Sequence, residues 1–555
     1  MKKLLPIGID NFRKVREADR YYVDKSLIIR DFIRFGDEAA LITRPRRFGK
    51  TLNMTTIREF FDITKDSRSI FDGLAIMGTE YADQINSRPV IYFTFKDCKG
   101  ISAESLLFQI ASTVFEEYAK YNAIFKGKID LSNDAYYSFY KIYEKLRDRD
   151  IGIDFLEISF KELIRAVCEY YNNRPIVLID EYDQPILSSV EHGYHGELKA
   201  FFSGFYGGAL KGQDSLHQAL LTGIQRIAKE SIFSQLNNIT VYTVTDEPYS
   251  QYFGLTAGEA ERLMSDYNLV LDEQVKQRYD GYLFGGEEMY NPWSALNYAK
   301  TGILENYWLN TSTNFLIRKS IAEADGLFRK SFDNLIAEGA AEVSADLTCS
   351  FIELAHSDTL WGLLINSGYL TVIEKEADSS FMTVRIPNGE VKSEFIKIIA
   401  DSANVESLNL HKMFQYLQRQ DIEGFMGIYQ EIVLSCTSYH DARENAYHML
   451  FLGMCISLSD LYKITSNIES GHGRSDIRME SLQTGRPHMV IEFKQGEDVE
   501  ALKERALAQI LENRYYDGLS GDCVCVGIAT TRKGALWPIK RYLAELPQST
   551  CIKFI

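Results

Sequence analysis

No run of apolar residues approaches the length of a membrane span, although 45% of the 555 residues are hydrophobic. That argues against a chain threaded through a bilayer. The start, Met1-Lys2-Lys3-Leu4-Leu5-Pro6, carries the positive charge of a signal peptide, but Asp10 ends its apolar stretch too early. Cysteine is sparse: the eight are scattered singly, apart from Cys523 and Cys525, and none has zinc-ligand spacing. A disulfide scaffold is therefore excluded, and reduced thiols in a cytoplasm are expected. Cys523 and Cys525, in the strand-like run Cys523–Ile528, are expected on opposite faces of that strand. Internal repeats and low-complexity linkers are absent too, so a boundary near 400–435 rests on a helical spacer alone. An excess of positive charge is also missing. A net charge of −16 argues against broad electrostatic adhesion to nucleic acid. From His440 to Ile555, however, 14 Lys+Arg face 15 Asp+Glu, so the C-terminal part is the cheaper candidate for contact with DNA or RNA.

What is present begins with Ala39-Ala40-Leu41-Ile42-Thr43, an apolar run that reads as a strand. Arg44-Pro45-Arg46-Arg47-Phe48-Gly49-Lys50-Thr51 follows, and Leu52 to Phe61 reads as a helix. Strand, loop and helix in that order are the setting of a phosphate-binding loop. Its backbone N–H groups wrap phosphates, Lys50 reaches the terminal ones and the Thr51 hydroxyl can hold Mg²⁺. The first glycine usual in such a loop is missing. Arg44 stands there, and the loop must turn without it.

Ahead of the loop, Tyr21 to Ser26 leads into an apolar-periodic helix, Leu27 to Phe35, capped near Asp24 or Ser26. Such a segment either packs near a nucleotide base or is plainly structural. Beyond the loop come a strand, Pro89 to Phe95, and helical periodicity over 103–122 and 155–172. Ile176-Val177-Leu178-Ile179-Asp180-Glu181 then reads as a buried parallel strand that delivers carboxylates at its C-terminal end. Asp180 is expected to bind Mg²⁺ through water, and Glu181 to orient or deprotonate an attacking water. The next strand, Ala219 to Ile224, ends in Gln225-Arg226. Thr222, Gln225 or Arg226 could sense a γ-phosphate there, or simply end a strand and cap a helix. Strands alternating with helices over 39–245 imply an α/β fold, a parallel sheet with helices on both faces.

Residues 250–400 turn helical, with aromatic clusters at Tyr279–Tyr282, Tyr290-Asn291-Pro292-Trp293-Ser294 and Tyr307–Ser312 that read as core. Tyr369–Val372 and Met382–Ile386 read as a small hairpin. The expected organisation is a P-loop domain over 1–250, a helical lid and winged-helix-like region over 251–400, and a third domain over 401–555 with a helical lead-in.

That third domain holds a second constellation. A helix opens at His440 and carries Glu444 and His448; Asp476 follows a Gly-rich turn, and Glu492 and Lys494 lie two apart on a strand. Asp476 and Glu492 on adjacent strands make a hard-oxygen site for Mg²⁺ or Mn²⁺. Lys494, on the same face as Glu492, can polarise water or steady developing phosphorane charge. Glu444 could supply a third carboxylate, or pair with His448, and a later helix could bring Gln509 toward the site.

Taken together, these stretches resemble a family of bacterial and archaeal proteins that fuse an AAA-ATPase-like P-loop domain to a C-terminal PD-(D/E)XK nuclease-superfamily domain. The likeness rests on Tyr22–Lys25, Thr43–Thr51, Leu178–Asp183, Leu221–Ile224, Tyr290–Ser294, Glu444–His448, Gly473–Asp476 and Ile491–Lys494, in that order. It implies that the Arg-Pro-Arg-Arg-Phe-Gly-Lys-Thr loop is that family's own phosphate loop. It further implies ATP at Lys50, Thr51 and Asp180, a catalytic Glu181, and a restriction-endonuclease-like α/β core with Glu444, Asp476, Glu492 and Lys494. Arg46, Arg47 and Arg226 are candidates for charge stabilisation, with Phe48 and Gly49 completing the loop. The expected function is an ATP-binding, ATP-hydrolysing, metal-dependent nuclease acting on nucleic acid, DNA ahead of RNA, with defence or mobile-element processing as its setting. The alternative is a switch ATPase whose C-terminal domain binds without cutting. A homo-oligomer or a protein partner stays open under either.

Overall fold

The computed structural model describes residues 2–225, 238–308, 339–348, 356–376, 379–402, 461–470, 473–483, 485–496, 498–530 and 552–554, with isolated positions between 317 and 335, between 412 and 429, and at 458. By contact the chain divides into two units, Met1–Ile317 with Ser344–Val372, and Arg318–Val343 with Ile373–Ile555. Among the described residues no helix is long and apolar enough to cross a membrane.

The first unit is built on β1 (Ala39–Thr43), β2 (Val90–Thr94), β3 (Ile176–Asp180), β4 (Gln218–Gly223) and β5 (Ile239–Tyr242). All pair in parallel, in the order β2-β3-β4-β1-β5. The three inner strands are buried at every residue, which is why they read as unbroken apolar runs; the edge strands β2 and β5 are not. Helices cover both faces. Neighbouring residues of β2 point opposite ways: Arg58 of the loop helix lies over Tyr92, and Phe160 of the helix Ile153–Tyr171 packs edge-on against Phe93.

At the start of the helix Leu27–Phe35, Asp24 Oδ1 accepts from the Ser26 N–H at 2.8 Å, while the Ser26 side chain makes no cap of its own. Asp24 accepts from the Ala75 N–H and Ser26 from the Ile76 N–H, so the segment before the phosphate loop is anchored tertiarily. Later in the unit, β6 (Leu255–Thr256), β7 (Tyr282–Phe284) and β8 (Glu287–Tyr290) form an antiparallel sheet. Leu255 and Tyr290 of that sheet share a core with Leu263, Met264, Tyr279 and Tyr298, so Tyr279 and Tyr290 are packing residues. Asn291 caps the helix Pro292–Thr301 by accepting from the Trp293 and Ser294 N–H groups at 2.9 and 3.2 Å, with proline at the first turn. Further on, β9 (Ala340–Ser344), β10 (Thr371–Lys375) and β11 (Phe381–Arg385) make a sheet of order β10-β11-β9.

The second unit holds β12 (Tyr462–Ser470), β13 (Gly473–Ser481), β14 (His488–Gln495), β15 (Cys523–Thr530) and β16 (Ile552–Phe554), paired in sequence order. The first three are antiparallel and the last three parallel, so the helix Val499–Glu512 crosses between β14 and β15. Leu507 and Ile510 of that helix pack on Val490, Cys523 and Cys525. The expectation for the two cysteines is corrected here. Positions two apart share a face of a strand, and both thiols lie in this one core. Among the described residues Cys98, Cys168, Cys523 and Cys525 are free thiols.

Candidate active sites

Strand order builds the first site. With β4 between β1 and β3, the ends of these strands gather Thr51, Thr222 and Asp180. Thr51 donates to Asp180 Oδ2 at 2.7 Å and Thr222 to Oδ1 at 2.8 Å. Asp180 is fully buried, and burial, reinforced by the charge of Glu181, pushes its carboxyl up to about 6. Beside it Lys50 donates to Arg44 O and Pro45 O, both at 2.9 Å. Burial holds this ammonium below the ordinary lysine value, against the pull of Glu181, Asp183 and Asp180. Among the described residues it forms no salt bridge. A buried ammonium bonded only to neutral carbonyls is poorly compensated, and an anionic phosphate restores the balance. The donor set therefore fits a nucleotide phosphate with a divalent cation at Thr51 and Asp180.

The turn after β3 is held in an unusual conformation. Glu181 lies in the left-handed region at φ +51°, a strain often found where chemistry is done. The turn delivers Asp183 to the Ile224 and Gln225 N–H groups at 2.8 and 3.2 Å. Gly223 makes this possible: a Cβ there would meet the Tyr182 ring at 2.7 Å and Asp183 Cγ at 2.9 Å. Thr222 is thus the residue of its run that touches Asp180, while Gln225 offers its N–H to Asp183 and its carbonyl to the Tyr182 hydroxyl. Arg226 lies outside the described residues.

The three arginines of the loop diverge. Arg44 replaces the missing glycine and is fully buried, donating to Tyr242 O and Thr243 O at 3.2 and 2.7 Å between the Phe253 and Phe284 rings. Burial lowers its guanidinium to about 9. The loop is thus pinned where a glycine would have let it bend. Arg46 turns inward to Gln184 Oε1 at 3.5 Å, in the field of Glu181 and Asp183. Arg47, left-handed at φ +68°, lies with its guanidinium 4.1 Å from the centre of the Trp293 ring. Phe48 is buried against Tyr282 and Phe284, so its side chain packs. Gly49, at φ +83°, starts the loop helix. A cavity of about 80 Å³ adjoins it, lined by Tyr22, Lys25, Gly49, Leu52, Tyr252 and Leu255 among others. Lys25, which closes one wall, donates to Gln251 O and Glu259 Oε2.

The second site is built across β13, β14 and the crossover helix. Ile477 pairs with Ile491, which sets Asp476 beside Glu492. Asp476 Oδ2 accepts from the Phe493 N–H at 2.7 Å, and Glu492 Oε2 accepts from the Asp476 N–H at 3.3 Å. Glu492 Oε1 accepts from Lys494 Nζ at 2.8 Å and Gln509 Nε2 at 2.5 Å. Glu492 is 1% exposed, and burial followed by the nearby Asp476 charge raises its carboxyl to about 7. Asp476, Glu492, Lys494 and Gln509 therefore meet, whereas Glu444 and His448 lie outside the described residues. Among the described residues no group of three metal-ligating side chains gathers, and the two carboxylates that meet here are Asp476 and Glu492. In sequence Arg514-Tyr515-Tyr516 reads as part of the helix that carries Gln509 and Tyr515 has no role; the helix ends at Glu512 instead. The Tyr515 hydroxyl accepts from Gln509 Nε2 at 3.0 Å and Asn513 Nδ2 at 2.9 Å, fixing the amide that reaches Glu492. Six residues separate it from Gln509, and only the turn after the helix brings it back.

The pH dependence of this site has a definite sign. A glutamate held near 7 rather than 4.5 keeps its proton more tightly folded than unfolded. Its penalty is absent below the unfolded value, grows as pH rises from about 4.5 to 7, and is complete above that. In metal-free protein, Glu492→Gln is expected to remove about 3 kcal/mol of instability at pH 8 and almost none at pH 4.5. Thermal unfolding of both proteins in EDTA across that range measures it.

Residues 6–233 match a family model described as a predicted AAA-ATPase, and residues 442–533 match one for the PD-(D/E)XK nuclease superfamily. The chain is a fusion of an AAA-ATPase-like domain with a PD-(D/E)XK nuclease-superfamily domain, as its motifs implied. It is also 26% identical over 545 residues, 93% of each chain, to a protein of Azotobacter chroococcum mcd 1 named "Uncharacterized protein in vnfD 5′region".

Proposed function

We propose that the chain binds and hydrolyses ATP at the first site and cuts nucleic-acid phosphodiesters, DNA ahead of RNA, at the second. One observation carries the reading. Among the described residues each sheet presents a buried carboxylate, Asp180 or Glu492, tied to hydrogen-bond donors, with fewer oxygen ligands beside it than Mg²⁺ takes. Phosphate oxygens of a substrate complete such a half-built site. Bound Mg²⁺ would supply Lewis-acid charge at those oxygens.

In the first site Lys50 exchanges its carbonyl partners for the β- and γ-phosphates, and Glu181 takes the proton of the attacking water. The nucleotide base is assigned to the cavity beside Gly49 and Leu52. In the second, Lys494 orients the attacking water while Gln509 and Tyr515 hold Glu492 in place. The free thiols suit a cytoplasmic setting, and defence or mobile-element processing suits a nuclease under ATP control.

The two arginines should separate in kinetics. Arg46 faces Glu181 and Asp183, where a γ-phosphate would lie, so Arg46→Ala is expected to cut ATP turnover by about 100-fold or more with little change in KM. Arg47→Ala loses only its stacking on Trp293 and is expected to cost less than about tenfold. Steady-state phosphate release checks both.

The deciding experiment incubates plasmid, single-stranded DNA and RNA with Mg²⁺ or Mn²⁺, with and without ATP, while phosphate release is followed. Cutting that responds to ATP supports the reading. ATP hydrolysis with no cutting of any substrate would turn it toward a switch ATPase with a binding-only C-terminal domain.

A further inference from the structure

We propose that the turn from Asn366 to Leu370 senses the phosphate loop, seated on Pro45 through Gly368 and continuous with β10. The proposal rests on the nucleotide site described above. Gly368 sits at φ +84°, and a Cβ built on it would lie 2.8 Å from Pro45 Cβ and 3.1 Å from Pro45 Cγ. Only glycine lets turn and loop approach this closely.

Pro45 is also where the loop must respond to a nucleotide. Its carbonyl, with that of Arg44, holds the Lys50 ammonium at 2.9 Å. When Lys50 turns to a phosphate, that tie is released and Pro45 shifts against a surface with no slack. Contacts at close-packed density pass such a shift on rather than absorbing it.

The remainder of the turn is stiff enough to carry the shift. Asn366 donates to Leu347 O at 3.0 Å, and buried Tyr369 packs edge-on against Trp308 at 5.3 Å. Thr371 accepts from the Leu283 N–H at 2.8 Å. β10 starts directly after the turn, and the boundary between the two contact units falls at Val372–Ile373 within that strand. The strand leaving the turn is thus a covalent path into the unit that holds the second site.

The test is hydrogen exchange over residues 366–376 of the full chain, with and without ATP and Mg²⁺, alongside binding of a fluorescent ATP analogue. Wild type is expected to bind the analogue and to change its exchange over this segment, and Lys50→Ala to do neither. Gly368→Ala should weaken analogue binding by about tenfold, the overlap being of overpacking size. Thermal unfolding of Gly368→Ala, expected within a few degrees of wild type, guards against a folding defect; at saturating analogue this variant should still lose the ATP-driven change in β10. Wild type that binds the analogue with unchanged exchange over 366–376 overturns the proposal and leaves the nucleotide site standing. Failure to bind the analogue at all overturns both.

Discussion

Replacing Asp476 with alanine is expected to abolish metal-dependent cleavage, by about a thousandfold or more, while ATP hydrolysis stays within about twofold. The asymmetry follows from what the carboxylate does. Its Oδ2 accepts the Phe493 N–H and its charge sits beside that of Glu492. Alanine keeps the backbone N–H that donates to Glu492 Oε2, and it keeps the pairing of Ile477 with Ile491. Half-buried Asp476 fills no core position, so the loss of fold stability should be about 1 kcal/mol. Burial, the larger cause, continues to hold the Glu492 carboxyl up, and only the smaller push from the Asp476 charge is lost. The variant therefore retains a folded site with one carboxylate, too few ligands to hold a metal and a phosphate in line. Nicking of supercoiled plasmid measures the loss. Wild-type cutting by Asp476→Ala would place the nuclease chemistry elsewhere in the chain.

How much of this was legible in the sequence depends on burial. Strands β1, β3 and β4 are buried at every residue, and unbroken apolar runs announced them together with the Asp180-Glu181 pair at the end of β3. The helices Ala103–Phe125 and Ile153–Tyr171 follow the 103–122 and 155–172 periodicity closely. The helix His195–Leu210 passed unnoticed, because Gly196, Gly204, Gly207 and Gly208 dilute its pattern. β6, β7 and β8, of two to four residues each, are too short to show alternation, so a region read as helical hides a sheet. At the sites, residue types were visible but neighbours were not. Thr222, Gln225 and Arg226 are equal candidates in sequence; strand order sets Thr222 against Asp180, and Arg226 lies outside the described residues. Arg46 and Arg47 look interchangeable in sequence, and the left-handed backbone at Arg47 separates them. Gly368 carries no local signal at all, since the space it leaves is for Pro45, more than 300 residues earlier.

Glu181→Gln is expected to trap ATP: turnover falls about 100- to 1000-fold while affinity stays within about threefold. An amide of the same shape cannot accept the proton of the attacking water. It can keep the left-handed turn and the hydrogen bond from the Gln184 N–H to the residue 181 carbonyl at 3.1 Å. Two electrostatic consequences oppose each other at the phosphates. Glu181 is the first charge that supports the Lys50 ammonium, so removing it weakens that grip. It is also the charge that helps hold the Asp180 carboxyl near 6, so removing it leaves Asp180 more fully ionised at neutral pH and a better partner for Mg²⁺. The near cancellation is why affinity should hardly move, in contrast to Lys50→Ala, which deletes the cation itself. Nucleotide retained after gel filtration, set against phosphate released, separates the two variants; Glu181→Gln protein that hydrolyses at the wild-type rate would show that another group takes the proton. The trapped form then isolates which half of the ATP cycle governs the second site. If it cleaves DNA as wild type does with ATP, the signal is binding, which is what a turn seated on Pro45 would report; if it is silent, the signal waits for the phosphate to leave.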